Sequence, residues 1–422
     1  MTALPPCYPA NSRLDEHGDL IVGGCSVTEL CREFGTPVYI VDEQGARERA
    51  RDYRAAFESR HPDSEVIFAS KAFPCTAIYR LFAEEGLSCD VATRGELFLA
   101  LAGGVDPARI HVHGNAKDDA DVAAAVEAGV GCVVIDSFDD IDRLERLVPD
   151  RQRVLLRVNP EVQADTHESV LTGHSTSKFG LRRALALRAI ERLRASDRLE
   201  LIGLHTHVGS QILEVEPLTM AVDALADLGD FPVYDLGGGL GIPYRSTDTA
   251  PSLDAYADAL VSAVHRGLGT DVRVLVEPGR SLIGTSGVTA YHVVSVKRDV
   301  VVHVAVNGGM GDNLEVSLYG TEFEARVLAR RDATERCQVV GKHCESGDVL
   351  VRDAELPSPV IGDVLVTPAT GAYCYTLANN YNAQPRPPVV SCRDGDARLV
   401  VRRETYDDLL RRDVPAAAVP TA

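Results

Sequence analysis

The sequence predicts an α/β protein in two parts, an eight-stranded parallel (β/α)8 barrel and an antiparallel β domain built from both chain ends. Three observations carry that reading. From about residue 66 to residue 284, short apolar runs alternate with amphipathic stretches eight times over roughly 220 residues, the repeat and length of a closed barrel. Beyond Ser286 the helical period stops, and β-branched runs separated by Gly, Pro and Asp take over. One further strand candidate, residues 37–41, precedes the series, and a closed barrel has no place for it.

Taken in order, the barrel strands are expected at residues 66–69, 88–92, 110–113, 132–136, 154–158, 201–205, 233–236 and 274–277. Amphipathic stretches at 76–85, 95–102, 118–128, 183–194 and 252–266 read as the helices between them. Gly86, Gly103 and Gly129 close three of these stretches in the manner of helix C-caps. The later strands are expected at 288–297, 300–306, 339–340, 349–352, 364–367, 389–390 and 399–402, with 20–22 and 37–41 joining them. The division is therefore 1–42 with 285–422 for the β domain and 43–284 for the barrel. The Ala/Pro-rich tail from Pro415 is expected to fray.

Composition narrows the function. A net charge of -19 argues against nucleic acid or an anionic membrane as partner, because both call for a basic footprint. Residues Met1-Thr2-Ala3-Leu4-Pro5-Pro6-Cys7 lack the charged and apolar regions of a signal peptide, and no apolar window is long enough to span a bilayer. Ten cysteines without a CxxC pair fit a reducing, cytoplasmic setting in which most act as small buried hydrophobes.

Barrel active sites lie at the C-terminal ends of the strands. Those positions hold Lys71, Asp90, His113, Arg157, His207, Gly237, Gly238, Gly239 and the run Glu277-Pro278-Gly279-Arg280. A lysine amine, with a reference pKa of about 10.4, reacts only when its surroundings depress that value. Glycines after a strand let backbone N–H groups close on an anion, and this run lacks the spacing of a dinucleotide or nucleotide loop. In His205-Thr206-His207-Val208-Gly209-Ser210, one imidazole could stack on a planar ring and Ser210 could donate to phosphate. No third ligand has convincing spacing from that His-x-His pair, so no metal is expected. A lysine, phosphate glycines, a stacking histidine and a carboxylate for a ring nitrogen together fit pyridoxal phosphate.

The chain resembles the fold-type III pyridoxal-phosphate decarboxylases through nearly its whole length. Phe68-Ala69-Ser70-Lys71-Ala72 resembles the family's Schiff-base lysine motif, and His207-Val208-Gly209-Ser210-Gln211 its stacking-histidine motif, which favours His207 over His205. The resemblance implies that Asp90, Arg157, Ser210, Gly237, Gly238, Gly239, Gly279, Arg280 and Tyr373 bind the cofactor with Lys71, His207 and Glu277. Cys344-Glu345-Ser346-Gly347-Asp348 matches a motif that the family contributes across a dimer interface, which implies a homodimer with Cys344 as catalytic acid. Arg280, Glu315, Tyr319, Glu345 and Tyr373 fall at substrate-binding positions. The implied reaction is amino-acid decarboxylation, with meso-diaminopimelate as substrate and L-lysine as product.

One position departs from the family. Asn313-Leu314-Glu315-Val316 stands where an Asn-Pro-Arg-Pro stretch is usual, so Glu315 replaces an arginine that helps hold the distal carboxylate. Losing that attraction and adding a repulsion each count for up to about 4 kcal/mol at contact with an effective dielectric near 20. Either Glu315 turns to solvent, or Arg280, Tyr319 and another cation compensate for it, or the substrate carries an amine or hydroxyl at that end. An amino-acid racemase of similar plan resembles a class with arginine at the ring nitrogen, and Glu277 speaks against it. A non-catalytic regulator would be expected to lose Lys71 or Cys344, and both are present.

Overall fold

The computed structural model describes residues 4–162, 177–328, 331 and 333–414. It falls into two compact units, one of Met1–Gly45, Tyr244–Ser246 and Thr285–Ala422, the other of Ala46–Pro243 and Thr247–Gly284.

In the second unit eight parallel strands close on themselves. They are Ser64–Ala69, Ser88–Val91, Ile110–Val112, Cys132–Ile135, Gln152–Val158, Leu199–Thr206, Val233–Asp235 and Arg273–Val276, each paired with the next. The register Val274 to Ser64, Leu275 to Glu65 and Val276 to Val66 completes the ring. The β-branched and aliphatic content of these runs suits strands buried on both faces. Ile67, Cys132, Val134, Leu155, Ile202, Val233 and Leu275 form one buried cluster. Each fully buried aliphatic chain of this kind contributes roughly 1.5–3 kcal/mol.

The helices start where the sequence supplies caps. Thr93 accepts from the Glu96 N–H, Ser137 from Asp140 and Ser252 from Ala255, while Asp118 and Asp121 form a reciprocal capping box. Helices also form over Glu43–Glu58, Phe138–Leu147 and Glu216–Ala226. Gly86 and Gly129 take the left-handed conformation expected after a helix, but Gly103 does not; Gly104 does, at φ 86°. A Cβ on Gly103 would sit 2.7 Å from the Tyr79 Cβ, so that residue is small for packing.

The first unit holds a large sheet in the order Val349–Leu356, Glu335–Val340, Val302–Val306, Gly287–Arg298, Val38–Asp42, Val389–Arg393, Asp396–Val401, with Val364–Pro368 branching from Gly287–Arg298 and Arg326–Val327 pairing in turn with Val364–Pro368. The strand before the barrel series therefore does belong here. Three expectations need correcting. The sheet is mixed, because Val38–Asp42 runs parallel to Val389–Arg393 and Val302–Val306 parallel to Glu335–Val340. The first of these pairs is separated in sequence by the entire barrel, and so long a connection permits parallel pairing where a hairpin would not. Leu20–Val22 does not enter this sheet; it pairs with Arg13–Leu14 and Cys25–Ser26 in a small sheet of its own. The run 300–306 starts late, because Val300 lies 97% exposed in the turn that pairs Arg298 with Val302. The expectation for the tail from Pro415 lies outside the described residues.

Nine of the ten cysteines are buried, leaving Cys344 as the exposed thiol. Among the described residues no helix is long and apolar enough to cross a membrane.

Candidate active site

The C-terminal ends of the barrel strands gather the predicted polar residues. Lys71 lies exposed on a single turn, Ser70–Ala72, directly after the first barrel strand. The next strand holds that turn in place, since the Ser70 N–H donates to Asp90 Oδ1 at 2.9 Å. Burial pushes the Asp90 carboxyl up to about 7, Glu277 adding to the effect and His113 and Lys71 opposing it.

Glu277 follows the last strand and is buried, at 7% exposure. His205 Nε2 lies 3.2 Å from its Oε2, and His113 Nε2 lies 2.7 Å from its Oε1, off the ring's N–H direction. Burial alone would raise the Glu277 carboxyl, but the two imidazoles outweigh it and hold that group well below the usual range. The opposite holds for its neighbour Asp235, which burial and the Glu277 charge push well above the usual range. Burial lowers His205 to about 4. The two rings meet edge to face with centroids 4.9 Å apart.

The glycine run makes a tight turn after its strand. Gly237 has φ 65°, and its N–H donates to Asp235 Oδ1 at 2.9 Å. The Gly238 N–H donates to His207 Nδ1 at 3.2 Å. A Cβ on Gly238 would stand 2.2 Å from the Glu277 carbonyl oxygen. Gly238→Ala is thus expected to cost about 1–3 kcal/mol through overpacking against rigid backbone, read as a lowered midpoint in thermal unfolding. Nearby, Arg280 Nε donates to Ser210 Oγ at 3.1 Å, so the arginine and the serine share one edge of the site. Arg157 is buried over the Phe179 ring, 4.5 Å from its centroid, with its Nε 3.8 Å from Asp136 Oδ2. The two histidines of the His-x-His pair part company, His205 being fully buried and His207 half-buried.

These groups suit pyridoxal phosphate. Glu277 Oε1 is buried without an aligned donor, and a protonated ring nitrogen is such a donor. Ser210 and Arg280 suit a phosphate, and Lys71 has an amine suited to the aldehyde. Sequence reasoning placed His113 at a strand end without giving it a role, ranked His205 below His207, and gave no role to Asp235. With Glu277, their ligand-type atoms lie within 4.8 Å of one another. Sequence spacing hid this cluster because its members come from four strands. A separate polar cavity of about 380 Å³, lined by Arg54, Arg109, Arg153, Arg273, His111 and Glu65, sits at the N-terminal mouth of the barrel. Barrels carry stability rather than chemistry at that end.

Residues 45–284 match the family model of the pyridoxal-binding domain of pyridoxal-dependent decarboxylases. Over 96% of its length the chain is 45% identical to a diaminopimelate decarboxylase of Actinosynnema pretiosum, covering 95% of that protein. The chain belongs to the diaminopimelate decarboxylase family. Another member, from Bacillus subtilis, is 41% identical over 96% of this chain and 97% of its own length. The crystal structure of diaminopimelate decarboxylase from M. jannaschii superposes with a TM-score of 0.91 at 30% identity, covering 97% of this chain and 99% of the other. Family membership makes the chain a pyridoxal-dependent carboxy-lyase, and both the expected fold and the expected reaction class stand.

The remaining residues predicted for the site lie in the first unit. Glu315 opens the short helix Glu315–Tyr319 and is fully buried; its Oε2 accepts from Tyr244 Oη at 3.0 Å. Of the outcomes expected for it, turning to solvent is excluded. Tyr319 and Tyr373 are half-buried, and Tyr373 has the left-handed φ of 63° at the start of the turn Cys374–Leu377. Cys344 and Glu345 are exposed on a loop pinned by the Cys344 N–H to Asn382 Oδ1 at 2.8 Å and the His343 N–H to Asp348 Oδ2 at 2.7 Å.

Proposed function

We propose that this chain binds pyridoxal 5'-phosphate at the C-terminal end of its barrel and decarboxylates meso-diaminopimelate to L-lysine and carbon dioxide. The observation that carries the reading is the buried Glu277 carboxylate, held ionised at the barrel end that also presents a glycine turn and an exposed lysine. When bound, the cofactor supplies an aldehyde that takes the substrate amine and a ring that accepts the electrons left by departing carbon dioxide.

The chain's own residues do the rest. Lys71 offers the amine that holds the aldehyde before substrate arrives. Glu277 would keep a proton on the ring nitrogen, and His207, the half-buried imidazole of the pair, would stack on the ring. Gly237, Gly238, Gly239, Ser210, Gly279, Arg280 and Tyr373 would bind the phosphate, and Asp90 and Arg157 would complete the cofactor site. Cys344 Sγ gives the proton that replaces the lost carboxylate, reaching the site from the second subunit of a cytoplasmic homodimer. Support for that last role is its exposure, unlike every other cysteine in the chain. Arg280, Tyr319, Glu345 and Tyr373 hold the substrate.

One observation favours a second reading. Glu315 is a buried carboxylate at a position where the family usually carries arginine, and it suits an amine or hydroxyl at the substrate's far end. Carbon dioxide release from purified protein tests both, against meso-diaminopimelate, lysine and ornithine of both hands, and modified or carrier-tethered amino acids. Turnover of meso-diaminopimelate with lysine as product supports the first reading. Turnover confined to a substrate without the distal carboxylate replaces it with the second, and release from none of the panel rejects both.

A further inference from the structure

Four buried groups sit where the barrel strands end: His113, His205, Asp235 and Glu277. Left with no aligned hydrogen-bond partner are His113 Nε2, His205 Nδ1, Asp235 Oδ2 and Glu277 Oε1. Two carboxyls in one dry site cannot both ionise without a large electrostatic penalty, so the cluster must share out its protons.

A metal ion is one way to satisfy such a set, but the distances argue against it. Ligands about 2.1 Å from a tetrahedral ion stand about 3.4 Å from one another. Here His113 Nε2 and Glu277 Oε1 are 2.7 Å apart, which is hydrogen-bond separation and leaves no room for an ion between them. His205 Nε2 approaches the other oxygen of the same carboxylate at 3.2 Å. Both oxygens of Glu277 are therefore flanked by imidazole nitrogens, and Asp235 lies behind with one oxygen taken by the Gly237 N–H.

We propose that His113 and His205 are positioning residues that clamp Glu277 as the single anion of this cluster, with Asp235 carrying the shared proton. The inference rests on the reading of Glu277 as partner of the cofactor's ring nitrogen. A carboxylate hydrogen-bonded by His205 and approached by His113 at 2.7 Å keeps its charge, so a ring nitrogen facing it keeps its proton; without the clamp, the charge spreads onto Asp235 and the ring nitrogen loses its counter-ion. Other charged or titratable groups facing the cluster include Asp90, Lys71, Arg157, His207, His111, Tyr256 and Cys132.

The test uses holoenzyme reconstituted with pyridoxal phosphate labelled with nitrogen-15 in the ring, whose chemical shift separates the protonated from the bare nitrogen. His113→Phe, His205→Phe and the donor-retaining His205→Asn are compared with wild type between pH 6 and pH 9, with circular dichroism confirming that each folds. The expected result is a protonated ring nitrogen across this range in wild type. In the Phe variants that nitrogen loses its proton within the range, and kcat falls about 100-fold, as for a two-unit pKa change, with KM little altered. His205→Asn recovers part of both effects. Folded Phe variants whose ring nitrogen stays protonated would overturn the clamp, as would zinc at one equivalent per chain in the purified protein. Wild type that takes up no pyridoxal phosphate overturns the functional reading itself, which is a distinct outcome.

Discussion

Lys71→Ala is expected to lower carbon dioxide release by about 10,000-fold or more, about 5.5 kcal/mol of barrier at 1.36 kcal/mol per decade. The visible absorbance that marks a lysine-linked cofactor should vanish with it. The side chain is exposed on its own turn, so its removal leaves the barrel core untouched. The melting temperature of the apoprotein should accordingly move little, within the range usual for surface substitutions. That combination separates a chemical role from a structural one. A variant that keeps the visible band and more than about a tenth of the activity would remove Lys71 from the proposed mechanism.

The second large effect concerns assembly. If Cys344 serves the site of the opposite subunit, Lys71→Ala and Cys344→Ala are each nearly inactive alone yet complement one another when co-expressed. Random pairing in a two-fold dimer gives mixed dimers in half of all cases, and each mixed dimer holds one intact site. Activity should therefore return to about one quarter of wild type. If Cys344 acted within its own chain, no pairing would restore a site, and the mixture would stay inactive. Light scattering of the wild-type enzyme at twice the monomer mass provides the independent check. The exposure of Cys344, on a loop otherwise fixed through Asn382 and Asp348, is what a group offered to a neighbour requires.

Much of the molecule was legible in the linear sequence, and for a physical reason. Strands buried on both faces must be apolar throughout, so all eight barrel strands stood out as short runs that the structure reproduces to within a residue or two at most ends. Helix starts were announced by Thr93, Asp118, Ser137 and Ser252, whose side chains cap their own local backbone. The β domain was harder to read. Its partners lie far apart in sequence, so the parallel pairing of Val38–Asp42 with Val389–Arg393 and the separate small sheet around Leu20–Val22 left no local mark. Glu315 shows the same limit: its identity is plain in the sequence, but its burial against Tyr244 follows from chain packing alone.

By itself, then, the sequence determined the order of elements and the residues that end them: Lys71, the glycine run and Glu277 sit at strand ends because backbone propensity and strand length place them there. The proton inventory of the site was decided by tertiary structure alone. His113, His205, Asp235 and Glu277 come from four separate strands, and their charges depend on burial and on distances of 2.7 and 3.2 Å that exist only once the barrel has closed. Electrostatics in a dry site is set by neighbours in space, and sequence spacing does not encode them.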